Sequence, residues 1–258
     1  MPIIDLGEFC CQGGGRTLDT QRFSPKDMVL AARGNRELVF SPLGNDPVSP
    51  RLALVGITPG GQAEDFERYL RTMPVRDAAR QAAFDGAQTQ IKELLSSQGF
   101  ADYIGIDLSG DLNRNPEIFT TSLVKCCLKV NGSYKYKAPD IAASPEASYC
   151  VVNRFVTDIE RFSTLEWIVI FGDPGWEAVT TLRVEGDTLL NRLTTGGAKM
   201  LNFPHLAQNF QQRAIFCLSE DQEREYLERK PKHVPYWPKA RRMRSELLLA
   251  MGRRVSEA

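Results

Sequence analysis

Two short runs, Leu52-Ala53-Leu54-Val55 and Trp167-Ile168-Val169-Ile170-Phe171, are continuously apolar, and each is followed by a glycine, Gly56 and Gly172. A strand with one wet face alternates polar and apolar residues; a run without alternation is buried on both faces. That confines the chain to folds with helices on either side of a central sheet. The stretch after the first run has helical spacing: Phe66, Tyr69, Leu70 and Met73, then Ala79, Ala83, Ile91, Leu94 and Leu95, with Pro74 separating two helices. Phe119–Val124 and Lys199–Phe203 read as further strands, and 146–162, 174–183 and 239–251 as helices. Strands alternating with helices predict an α/β fold, three layers deep, around a short, mostly parallel sheet. Residues 1–50, rich in Gly, Pro and polar side chains, read as an irregular N-terminal extension with room for one short helix. Residues 51–258 then form the α/β/α domain.

Composition excludes several classes. At 258 residues with 42% hydrophobic and 25% charged content, the chain has ample material for a core. No apolar run approaches the roughly 20 residues of a membrane span, and the N-terminus has no secretory pattern. A cytoplasmic, monomeric protein without membrane association is the expectation. The 32 basic and 32 acidic residues cancel, but unevenly. Residues 229–254 hold nine Lys/Arg and one acid, Glu246, so this segment carries +8 and the remainder −8. Such a patch is either a solvated helix face or a surface for a polyanion. Tyr236 and Trp237 beside it favour nucleic acid, because aromatic rings stack on bases.

In open parallel sheets, ligands bind beyond the carboxyl ends of the strands. Four segments lie there: Gly56–Gly61, Ser122–Cys127, Gly172–Trp176 and Pro204–Asn209. The first, Val55-Gly56-Ile57-Thr58-Pro59-Gly60-Gly61, combines glycines and a proline ahead of a helix, so its backbone can approach a ligand closely. It lacks the Lys and Ser/Thr of a phosphate-cradling Walker loop. The last carries His205, one of only two histidines.

In order and spacing these segments resemble the uracil-DNA glycosylase superfamily. VGITPG at 55–60 is similar to its water-activating loop, which reads G-I-N-P-G, G-M-N-P-G or G-E-A-P-G. Thr121–Cys126 (TSLVKC) resembles the T-N-V-V-K-C strand of the iron–sulfur branch. IVIFGDPGW at 168–176 is similar to the V-I-V-A-L-G strand, and Pro204–Asn209 (PHLAQN) to the P-H-P-S-x-x-N loop. The resemblance covers about residues 50–215. It implies a DNA glycosylase that hydrolyses the N-glycosidic bond of a nucleotide flipped out of the stack.

The implied roles fall residue by residue. His205 donates to the departing base and Thr58 holds the water. Ile57, Phe66, Ser122 and Asn209 shape the base pocket, with Phe66 or Tyr69 stacking on the base. Gly60, Gly61 and Lys125 contact the DNA backbone; on the separate charge argument above, so do Arg241, Arg242 and Arg244 of the basic segment. The loop 208–212 wedges the duplex. Departures bear on substrate. Thr58 stands where the family has Asp, Asn or Glu, and a threonine hydroxyl cannot take a proton from water at neutral pH; Glu64 or Asp65 is the nearby acid. Ser122 replaces the asparagine that reads uracil, and Leu206-Ala207 replaces Pro-Ser. A pocket trimmed of polar groups suits a bulky modified cytosine, such as the glucosylated hydroxymethylcytosine of viral DNA, better than uracil. Uracil excision, a non-catalytic binder of modified or damaged DNA, and a small-molecule hydrolase or nucleosidase are the alternatives.

The six cysteines form no C-x-x-C pair, which suits neither a disulfide framework nor a zinc site. The reaction requires no cofactor. The resemblance nevertheless implies a place for a four-iron cluster on Cys126 and Cys150 with Cys10 or Cys11, although adjacent cysteines are awkward ligands for one cluster. Otherwise Cys126 and Cys150 are small buried apolar residues.

Overall fold

The computed structural model describes residues 3–134, 138–206 and 210–253. The chain opens with β1 (Ile3–Asp5) and β2 (Thr17–Asp19), which pair antiparallel, followed by β3 (Val29–Arg33) and β4 (Arg36–Val39). Next come β5 (Leu52–Gly56), α1 (Gln62–Leu70), α2 (Val75–Ala82) and α3 (Gln88–Ser96). Then follow β6 (Ile118–Ser122), β7 (Cys127–Val130), β8 (Trp167–Phe171), α4 (Asp173–Thr181) and β9 (Lys199–Phe203). The C-terminal part is helical: α5 (Phe210–Phe216), α6 (Glu220–Arg229) and α7 (Trp237–Ala250).

The expected central sheet is present: four parallel strands in the order β9-β8-β5-β6. Alternate residues of each strand enter different cores. Ala53, Val55, Ile168 and Ile170 join one buried cluster, with side chains from α1, α2 and α4. Leu52, Leu54, Trp167, Val169, Leu201 and Phe203 join the other, with α3, α5 and α7. Both faces are therefore dry, which is why the strands read as unbroken apolar runs.

The N-terminal region departs from the irregular extension expected of it. β3 and β4 form a hairpin, and β4 pairs antiparallel with β7 in a second, three-stranded sheet. Leu6, Cys10, Leu18, Met28, Leu38 and Phe40 are buried in the first core. The segment is part of the packed structure because its apolar residues, though sparse, point inward at these positions.

Between β7 and β8 the chain forms a helical stretch, Pro145–Cys150 and Val156–Glu160, joined by a π turn at Val151–Phe155. In chain order the four parallel strands are arranged 2-1-3-4, so direction reverses between β5 and β8. That switch point opens a crevice at the carboxyl ends of the two strands.

Candidate active site at the strand ends

A cavity of about 570 Å³ lies at this switch point. The turn Gly56–Gly61 after β5 supplies one wall, and Phe171, Pro174, His205 and Leu206 supply another. Ile57, Thr58, Gly60, Gly61 and His205, all expected there, are brought together. Gly60 has φ of +59°, the left-handed conformation that lets the turn close against the start of α1.

His205 follows β9 and lies flat against Gly172, where a Cβ would come within 2.7 Å of its Cδ2. Gly172 also has φ of +89°, so two independent constraints require glycine. Burial lowers the His205 pKa below the usual 6.5, and the Asp173 carboxylate opposes that only in part. The imidazole is therefore neutral at pH 7. Asp173 is itself paired with Lys239 of α7, which brings the basic helix to the edge of the site.

Thr58 lines the cavity, but its hydroxyl is committed elsewhere. It donates to the Cys126 carbonyl (2.8 Å) and accepts from the Leu128 amide (3.0 Å). These bonds join the turn to β7 and leave no donor for water. Of the two nearby acids, Glu64 accepts from the Tyr134 hydroxyl (2.8 Å), while Asp65 lines the cavity and pairs with Arg68 at 2.7 Å.

Several expected site residues lie elsewhere. Phe66 is fully buried and packs edge-on against Phe40 (centroids 5.7 Å apart), because its helical position points into the core. Tyr69 donates to Asp85 at 3.0 Å. Ser122 is buried beside Gly56 and does not line the cavity. Lys125 is buried in an ion pair with Asp158 (2.9 Å) and faces a different cleft. Arg244 is also buried; it pairs with Glu223 and donates to the carbonyls of Leu218 (2.8 Å) and Ile215 (3.4 Å). Trp237 packs on the second core and donates to Glu223 instead of presenting a free face. Arg241 and Arg242 do face outward, the first over the Trp237 ring and the second beside Glu246. Asn209 and Arg254 lie outside the described residues, as does residue 208 of the loop 208–212.

The aromatic wall is Phe84, which falls within a stretch whose spacing predicts helix. It has φ of +53° and stands edge-on to Phe171 at 5.9 Å. Phe84-Asp85-Gly86 breaks the helical pattern, and that punctuation is the signal that marks it. Asp85, Gln62, Gln90 and Tyr134 complete the polar lining.

The cysteines converge more fully than their spacing suggests. The Cys126 thiol donates to Cys10 at 3.1 Å, and Cys11 bonds both Cys10 and Cys150. A turn after Leu6–Glu8 lets the adjacent pair face two partners. Those bonds pull the Cys11 thiol down to about 3 and push Cys10 and Cys150 upward. Cys10 and Cys126 approach more closely than the about 3.8 Å that 2.3 Å bonds around one tetrahedral ion imply. Accordingly, among the described residues no group of three or more His, Cys, Asp or Glu has the arrangement of ligands around an ion. What the structure shows is four sulfurs from three chain segments held in mutual contact.

Comparison of the chain with protein-family models, curated proteins and solved structures finds no match.

Proposed function

We propose that this chain is a DNA glycosylase acting on a flipped, modified pyrimidine, with a bulky modified cytosine of viral DNA as the favoured substrate. The observation that carries the reading is a neutral, partly buried imidazole, His205, sharing a cavity with Phe84 at the sheet's switch point. In this reaction water adds at the sugar C1′ as the C1′–N bond breaks, and the electron pair leaves with the base. His205 donates to the oxygen on which that charge collects, an interaction worth about 3–4 kcal/mol in the transition state. Phe84 stacks on the base, and the Gly60-Gly61 backbone lies against the sugar-phosphate. Asp65 takes the water's proton, because the Thr58 hydroxyl is occupied.

The cavity volume supports the larger substrate. About 570 Å³ is well within the roughly 300–1,000 Å³ of small-ligand sites and exceeds what one six-membered ring fills. The test is single-turnover excision from two otherwise identical duplexes, one containing uracil and one containing glucosylated hydroxymethylcytosine. Release of the modified base is expected; release of uracil alone would return the chain to ordinary repair. Release of neither, with tight duplex binding, would establish the non-catalytic binder, the reading favoured by the engaged Thr58 hydroxyl.

Cys10, Cys11, Cys126 and Cys150 are the residues that would hold a four-iron cluster. When bound, the cluster ties three chain segments together, and the hydrolysis does not pass through it. Iron and acid-labile sulfide in anaerobically purified protein, lost in Cys150→Ser, test this assignment.

A further inference from the structure

A second, larger cleft of about 950 Å³ lies away from the base pocket, between the N-terminal segment, α2 and the helical stretch 145–160. Four cations there share two carboxylates. Asp46 serves both Arg161 (2.5 Å) and Arg76 (3.9 Å), and Asp158 serves both Lys125 (2.9 Å) and Arg154 (3.8 Å). The balance of these six groups is therefore +2. The Arg154 Nε is buried and makes no hydrogen bond. It belongs to the π turn Val151–Phe155, a widened helical turn of a kind common at functional sites. Lys125 and Asp158 are largely shielded from solvent, so that pair's charge is weakly screened, while Arg76 and Arg161 face solvent. Beside these cations stand the apolar side chains of Phe9, Leu70 and Met73.

We propose that this cleft is a second binding site, for a small phosphate-bearing molecule of nucleotide size. A phosphate monoester carries close to −2 at neutral pH, which matches the surplus. Guanidinium groups hold phosphate oxygens through paired, charge-assisted bonds, and the side chains of Arg76 and Arg154, 80% and 39% exposed, can be reached from the cleft. The apolar side chains would cover the ligand's ring.

The experiment is calorimetric titration of the full chain with AMP, inorganic phosphate and a short single-stranded oligonucleotide. AMP is expected to bind more tightly than phosphate alone. Arg76→Gln/Arg154→Gln should weaken AMP at least about tenfold, as the loss of bonds to a charged group implies. His205→Ala, which alters only the base pocket, should leave AMP binding unchanged. Arg76 is 80% exposed at its side chain, so Arg76→Gln alone provides a variant whose folding is not at risk. It should still weaken AMP measurably, with an unaltered thermal melt. No binding of AMP at millimolar concentration, or equal affinity in the double variant, overturns the proposal. So does loss of AMP binding in His205→Ala, which would place the ligand in the base pocket. An oligonucleotide that binds through Arg76 and Arg154 when AMP does not would overturn it too, making the cleft a strand-binding surface instead.

Discussion

His205 and Thr58 line one cavity, yet their side chains have different obligations. His205 packs on a glycine and is held neutral by burial. His205→Ala should lower single-turnover excision at least about 100-fold, the scale of a missing oxyanion donor, while duplex affinity is retained. Its pKa also affects stability. Because the folded value is depressed, the unfolded chain binds more protons just below pH 6.5. The stability it contributes is complete above that pH and is lost as pH falls below it, until the folded imidazole also protonates. Denaturation curves between pH 5 and 7.5 should show this loss in the native chain and a smaller one in His205→Ala. Thr58 behaves differently. Thr58→Val removes partners from the buried Cys126 carbonyl and Leu128 amide and should cost about 1–3 kcal/mol of stability. Thr58→Ser should keep most of it. If Thr58→Val abolishes excision while Thr58→Ser does not, and both remain folded, the water-holding role belongs to the Thr58 hydroxyl after all.

At the scale of elements, α7 divides its basic residues between its outer face and the interior. Arg241 and Arg242 face outward, whereas Arg244 lies inside against Glu223. Arg241→Gln/Arg242→Gln should flatten the salt dependence of duplex binding by up to about 0.9 log units for each phosphate left without its cation. Arg244→Ala should instead destabilise the fold by about 3–5 kcal/mol, because it strands a buried carboxylate; urea titration separates the two. β5 and β8 are legible in the sequence because both faces are buried and their runs do not alternate, whereas β6 and β9 mix in polar residues. The β3–β4 hairpin is harder to see, although Gly34-Asn35 between Val29–Arg33 and Arg36–Val39 is a two-residue hairpin signal. Its strands carry Arg33, Arg36 and Glu37, and only pairing with β7, distant in sequence, completes their sheet. The same limit applies to the site. Strand-end loops can be placed from the fold rule, but Phe84 sits at a turn inside an apparent helix, and the Lys125 side chain turns away from the loop that suggested it.

Across the whole molecule, the N-terminal segment, the turn before β7 and the helical stretch 145–160 meet at four sulfurs. Cys126 links this meeting point to the turn that walls the cavity. Its sulfur contacts Cys10, and its carbonyl receives the Thr58 hydroxyl from the turn that walls the cavity. One residue thus bonds both groups, through its side chain on one side and its main chain on the other. If the sulfurs move on oxidation, the expected consequence is a change in the turn that Thr58 anchors. A duplex titrated against reduced and mildly oxidised protein should bind with different affinities, and Thr58→Val, which removes this anchor, should bring the two values together.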